Sequence, residues 1–185
     1  MKDDLETAYR WFTHPNGQAH SHLSPYGNQT MDAMRTALST HSLEQARQIA
    51  FNIAFNPKEN PLEAGEILIW TAIYAVYLEE PDYLPFAKEL FQNAVAQYSD
   101  EEPHYRAISL WLLGLIYWQF PEYRREAIYL WEYTLRVLTH LSYSPEAVNP
   151  GWYQNIRFRV IETLFHARMF KKRLALRDVK PYRLQ

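Results

Sequence analysis

The stretch Tyr105–Trp118, YRAISLWLLGLIYW, constrains the fold more than any other part of this chain, because only Arg106 and Ser109 in it are plainly polar. A helix apolar on nearly every side is either buried among other helices or set in a membrane. The apolar run Ala107–Trp118 covers 12 residues, short of the roughly 20 that a bilayer span needs. The stretch therefore predicts a central helix packed on both sides by others, in a chain without a transmembrane segment. Glycine is scarce, at 5 of 185 residues, and apolar and polar residues rarely alternate, so an all-α fold is expected.

Prolines and capping residues divide the chain. Residues 2–13 are expected to form a short helix, and His14–Gln29 an irregular loop, from the turn signals at Pro15-Asn16-Gly17 and Pro25-Tyr26-Gly27-Asn28. Helices follow over about 31–39 and from Ser42, where Ser42 and Gln45 form a capping box, to Pro57. Asn60-Pro61-Leu62-Glu63 reads as an N-cap, a first-turn proline and a reaching carboxylate, and opens a helix to about Leu78. Pro85 lies in the first turn of the next helix, which ends near Tyr98; Asp100 caps the central helix, and Pro121 opens its partner to about Leu141. A long last helix runs from about Trp152 to Val179. The expected organisation is a helix and loop over 1–30, a helical array over 31–141, and a basic capping helix and tail over 142–185.

The array repeats at an offset of 40: Ile73 falls on Leu113, Tyr77 on Tyr117, Pro81 on Pro121, Tyr83 on Tyr123 and Ala87 on Ala127. The unit resembles a tetratricopeptide repeat, whose helices read W-x2-L-G-x2-Y and A-x3-F-x2-A. Leu110, Leu113, Gly114 and Tyr117 match the first helix in one copy, with Ala127, Trp131 and Thr134 on the second. Trp70, Ile73, Tyr77, Ala87, Phe91 and Ala94 match in the other, and Ala46, Ala50 and Ile53 echo the second helix in an earlier pair. Two features depart from the family: Tyr74 stands where Gly114 supplies a small residue, and the period exceeds the usual value of about 34. The resemblance implies a short right-handed α-solenoid of antiparallel helical hairpins with a long C-terminal capping helix.

It also implies a concave face formed by Leu68, Thr71, Ala75, Leu78, Ile108, Trp111, Leu115 and Trp118. These positions carry none of the Lys, Arg and Asn with which some members of the family clamp a peptide's carboxylate. They suit an amphipathic helix or hydrophobic peptide, or else the chain's own last helix fills them.

Charge adds a second candidate surface. Residues 151–185 hold nine basic side chains against Glu162 and Asp178, a net +7, which leaves −9 for residues 1–150. Arg157, Arg168, Lys171, Lys172, Arg173, Arg177 and Lys180 form the basic face. It would match an acidic protein surface, the body's own acids (Glu79, Glu80 and Asp82, or Asp100, Glu101 and Glu102), an anionic headgroup or a nucleic acid, with Phe170 and Tyr182 stacking on bases. No nucleic-acid-binding module accompanies it.

Signals for chemistry are sparse. The chain has no cysteine, hence no thiolate nucleophile or Cys-based zinc site. That fits a reducing cytoplasm, as does an acidic N-terminal stretch without a signal peptide's apolar core. His20 and His22 share a loop with His14 but have no carboxylate beside them, and Glu162 and His166, four apart, read as an ordinary helix-face pair. No phosphate-binding glycine loop, nucleophile elbow or zinc-protease motif is present. The expectation is a cytoplasmic, non-enzymatic adaptor without a cofactor. It binds a protein or peptide through its aromatic groove or basic helix, with self-association as a variant. Nucleic-acid or anionic-surface binding is the alternative.

Overall fold

The computed structural model describes residues 23–55, 60–98, 103–143 and 150–177, with the backbone alone at 104, 150–152 and 171–177. Among these residues the chain is all-helical. It runs as α1 (Pro25–Ser39), α2 (Leu43–Phe55), α3 (Pro61–Tyr77), α4 (Tyr83–Gln97), α5 (Pro103–Tyr117), a 3-10 turn (Pro121–Tyr123), α6 (Arg124–Ser142) and α7 (Pro150–Arg177). No described helix is long and apolar enough to cross a membrane.

Local chemistry sets these boundaries. Asn60 caps α3 as expected, its side chain accepting from Leu62 N–H at 3.1 Å with Pro61 in the first turn. Glu63 does not reach back within its own helix. Its carboxylate instead accepts from the backbone N–H and the hydroxyl of Ser24, both at 2.7 Å, and ties the start of α1 to the start of α3. The first helix corrects the expectation of a loop through Gln29: it begins at Pro25. Ser24 is its N-cap, accepting from Gly27 N–H at 3.0 Å, and Pro25 fits the first turn, where a missing N–H costs nothing. The expected helix over 2–13, the histidine loop and the Asp100 cap lie outside the described residues.

The α1–α2 turn is closed by two backbone bonds, His41 N–H to Leu38 and Ser42 N–H to Ala37 (3.1 and 2.8 Å), with His41 left-handed at φ 56°. This is the Schellman arrangement, in which glycine is the usual residue at the left-handed position. The α3–α4 turn shares the left-handed residue and one of these bonds, with Glu79 at φ 58° and its N–H on Val76 at 3.3 Å. The two turns meet where His41 Nδ1 lies 3.8 Å from a Glu80 carboxylate oxygen.

Each helix from α1 to α6 packs on the next, α1 also on α3, α2 also on α4, and α6 on α7. One core runs through all seven, from Met34 in α1 to Ala167 in α7. The central helix is its densest part, with every residue from Ala107 to Ile116 buried. Burial also repeats at the offset of 40. Ala87 and Ala127, Phe91 and Trp131, Leu68 and Ile108, and Thr71 and Trp111 are each at most 1 % exposed. Each aromatic ring so enclosed contributes about 1.5–3 kcal/mol.

Gly114 shows what the small position is for. A Cβ there would fall onto the Trp131 indole, 2.8 Å from Cδ1 and closer still to Nε1. The indole can therefore cross to α5 and donate to the Trp111 carbonyl at 3.1 Å. In the other copy Tyr74 turns aside to stack on Trp70 (5.3 Å between ring centroids), and the smaller Phe91 takes the place of the indole.

Candidate functional site

Six of the eight positions expected to form a concave face belong to the core. Leu68, Thr71, Ala75, Ile108 and Trp111 are fully buried and Leu115 nearly so; only Leu78 and Trp118 are half-exposed. In so short an array the neighbouring helices cover these side chains, and no partner reaches them without unfolding it.

The far end of that row does open to solvent. Leu115 and Trp118 line a cavity of about 450 Å³ between the end of α5, Trp131 of α6 and the middle of α7. Trp118 leaves α5 at the turn that Pro121 closes, which tips its ring out of the core. The ring lies 5.7 Å from Trp131 and 5.8 Å, edge-on, from Phe170 of α7. Arg124, the first residue of α6, packs beside two of these rings, its guanidinium 5.4 Å from Trp118 and 5.2 Å from Phe170. Its Nε donates to the Trp118 carbonyl at 3.3 Å. Each such cation–aromatic contact is worth about 0.5–2 kcal/mol, and together they hold one tip of the crevice rigid.

The other wall is one face of α7: Arg159, Glu162, Thr163, His166 and Phe170. Arg159 bonds Glu162 at 3.2 Å, and the Thr163 hydroxyl donates back to the Arg159 carbonyl at 2.9 Å. Glu162 and His166 thus share the face that their spacing predicts, with the carboxylate engaged by Arg159. The crevice combines an aromatic floor with a rim of mixed charge. Arg124 and Trp131 were not in the expected site, and the turn at Pro121 was the signal for Arg124.

Two side chains of the basic face are described, and both have partners within the chain. Arg168 bonds Glu132 of α6 at 2.9 Å, and Arg157 lies over the Tyr143 ring at 5.8 Å. The acid seen to meet α7 from the body is Glu132, and the cluster at 100–102 lies outside the described residues. The side chains of Lys171, Lys172, Arg173 and Arg177, and the whole of Lys180, lie outside what the structure describes.

Glu66 of α3 is the one carboxyl with a strongly shifted pKa among the described residues. Burial pushes it up to about 7, with the Glu63 charge adding to the effect. It does not line the α5–α7 cavity. No group of three or more His, Asp or Glu able to hold a metal ion occurs among the described residues.

Compared with protein-family models, with characterised proteins and with solved structures, the chain matches none of them.

Proposed function

We propose that this protein is a non-catalytic docking module of the cytoplasm: a short right-handed α-solenoid of antiparallel hairpins, divergently related to the tetratricopeptide repeats. It takes a peptide segment of a partner protein into the crevice between α5 and α7. Contact directions support the stacked-hairpin part. Trp131 meets Trp111 while Thr134 meets Ala107, so α5 and α6 run in opposite senses. Ser24 meets Glu63 and Arg35 lies over Trp70, so α1 and α3 run in the same sense. First helices of successive pairs align in this way in a solenoid.

The observation that carries the docking part is the contact of Arg124 with Trp118 and Phe170, two residues of the cavity lining. Apolar crevices with a few fixed polar groups bind ligands by enclosing an apolar side chain and orienting it by charge. The complementary segment carries an aromatic or large aliphatic anchor for the Trp118–Trp131 floor and a carboxylate for Arg124. Nucleic-acid binding is less favoured, because Arg159 and Arg168 already bond glutamates.

Selection of displayed random peptides on the immobilised full-length chain tests this, with Trp118→Ala as the counter-target. The expected result is enrichment of sequences pairing an acidic residue with an aromatic one, bound at least about tenfold more weakly by Trp118→Ala, the effect of losing one anchoring ring. Equal enrichment on both proteins, or none on either, overturns the proposal. Trp111→Ala is no substitute, since that indole is in the core.

A further inference from the structure

The opposite side of α7 carries a different surface. Tyr153, Ile156, Val160, Leu164 and Ala167 face the core. Roughly 145° around the helix from these, Phe158, Ile161, Phe165 and Met169 form a second apolar stripe, 66, 44, 61 and 40 % exposed. At roughly 200 Å² per large side chain, these leave about 400 Å² of apolar surface on one helix face, within the range of the largest patch on a typical monomer, which is often functional. Beside the stripe, α6 and α7 form a groove of about 450 Å³ floored by Leu135, Leu164 and Phe165.

We infer that this face joins two copies of the chain, with α7 packed antiparallel on α7 of the partner subunit across a twofold axis near residue 163. Three features of the structure select this occupant. The first is position: α7 packs chiefly on α6, and its stripe from Phe158 to Met169 is exposed among the described residues. An apolar stripe along a helix is matched by another helix, and a twofold axis across α7 supplies one running in the opposite sense.

The second feature is that the stripe reads nearly the same in both directions. Folded about residue 163, Ile161 faces Phe165 of the partner subunit, and Phe158 faces Met169 of the partner subunit. Each contact pairs two large apolar side chains, and the outer two place a thioether against a ring. Arg168, next to Met169, falls beside the exposed Phe158 ring of the partner subunit, a favourable place for a guanidinium. The third is area. Two stripes remove about 800 Å² of apolar surface, and the rim formed by Glu132, Arg136 and Arg157 brings the total toward the roughly 1,200 Å² at which specific interfaces begin.

Sedimentation equilibrium on the full chain tests the inference, with the cysteine-free sequence allowing a second, geometric readout. At about 100 μM the expected mass is twice the 22.1 kDa of one chain. Phe165→Glu, a change at an exposed site, is expected to keep its helical circular dichroism while dissociation strengthens by on the order of 100-fold, from burying an unpaired charge. A monomeric parent chain, or a dimer indifferent to Phe165→Glu, overturns it. For geometry, Phe158→Cys protein mixed with Met169→Cys protein is expected to form a disulfide-linked pair on mild oxidation. Neither variant should do so alone, since like positions then sit about 15 Å apart along the axis. Cross-linking of either variant alone would refute the antiparallel arrangement.

Discussion

Replacing Gly114 with alanine adds one methyl group where α6 crosses α5. That carbon would lie 2.8 Å from Trp131 Cδ1 and 3.0 Å from Cε2, both atoms of a ring 1 % exposed. Overpacking of this kind costs about 1–3 kcal/mol. Displacing the indole also strains its bond to the Trp111 carbonyl, adding about 1 kcal/mol. Alanine returns about 1 kcal/mol through helix propensity. The net expectation is a destabilisation of about 1–3 kcal/mol. Urea denaturation reads it as a midpoint lower by about 0.5–1.5 M, for a slope of about 2 kcal/mol/M. Trp131→Phe supplies the internal control, because the smaller ring already serves at the equivalent Phe91, opposite Tyr74. In that background the added methyl should cost at least about 1 kcal/mol less, a coupling measurable by double-mutant cycle. A Gly114→Ala protein as stable as its parent, or a cycle with no coupling, would refute the claim that this glycine exists to admit the indole.

Other substitutions probe separate parts of the structure. Glu66 has its folded pKa raised from 4.5 to about 7 by burial and then by Glu63, so the folded chain keeps a proton that the unfolded chain has released. Its contribution is fully present below about pH 4.5 and is lost as pH rises through about 7. Glu66→Gln should therefore stabilise the protein at pH 8 and not at pH 4.5, by about 1–2 kcal/mol once the shift is discounted for water reaching a half-buried group; equal effects at both pH values would refute the assignment. His41→Gly should raise the thermal midpoint, relieving left-handed strain for a net gain of about 0.5–1 kcal/mol, and a lowered midpoint would mean that the His41–Glu80 contact outweighs the strain.

Much of the architecture was legible because its causes are local. The proline positions, the Asn60 cap and the apolar run from Ala107 each act within a turn or two of helix, and they located most helices to within a few residues. The 40-residue offset was legible because steric partners recur, and burial follows it in Ala87 with Ala127 and Phe91 with Trp131. Pro25-Tyr26-Gly27-Asn28 was misread as a turn because a proline after a capping serine also opens a helix, and the carboxylate that secures this start, Glu63, lies 39 residues away. The groove was misjudged for a related reason. Motif spacing says which face of a helix meets its own partner, but not how far the neighbouring pairs close over the other face. So Leu68 and Trp111 are core, while Leu115 and Trp118 remain at an opening. The crevice joins Trp118 to Phe170, 52 positions apart and on helices that no short motif relates.

Amide hydrogen exchange of the full chain, with and without a selected acidic–aromatic peptide, tests the docking account most directly. The account predicts slowed exchange at two places, the turn from Trp118 to Arg124 and α7 between Arg159 and Phe170, with α1 and α2 unchanged. Protection confined to α1–α4, or a bound peptide that leaves both places unaltered, would contradict it.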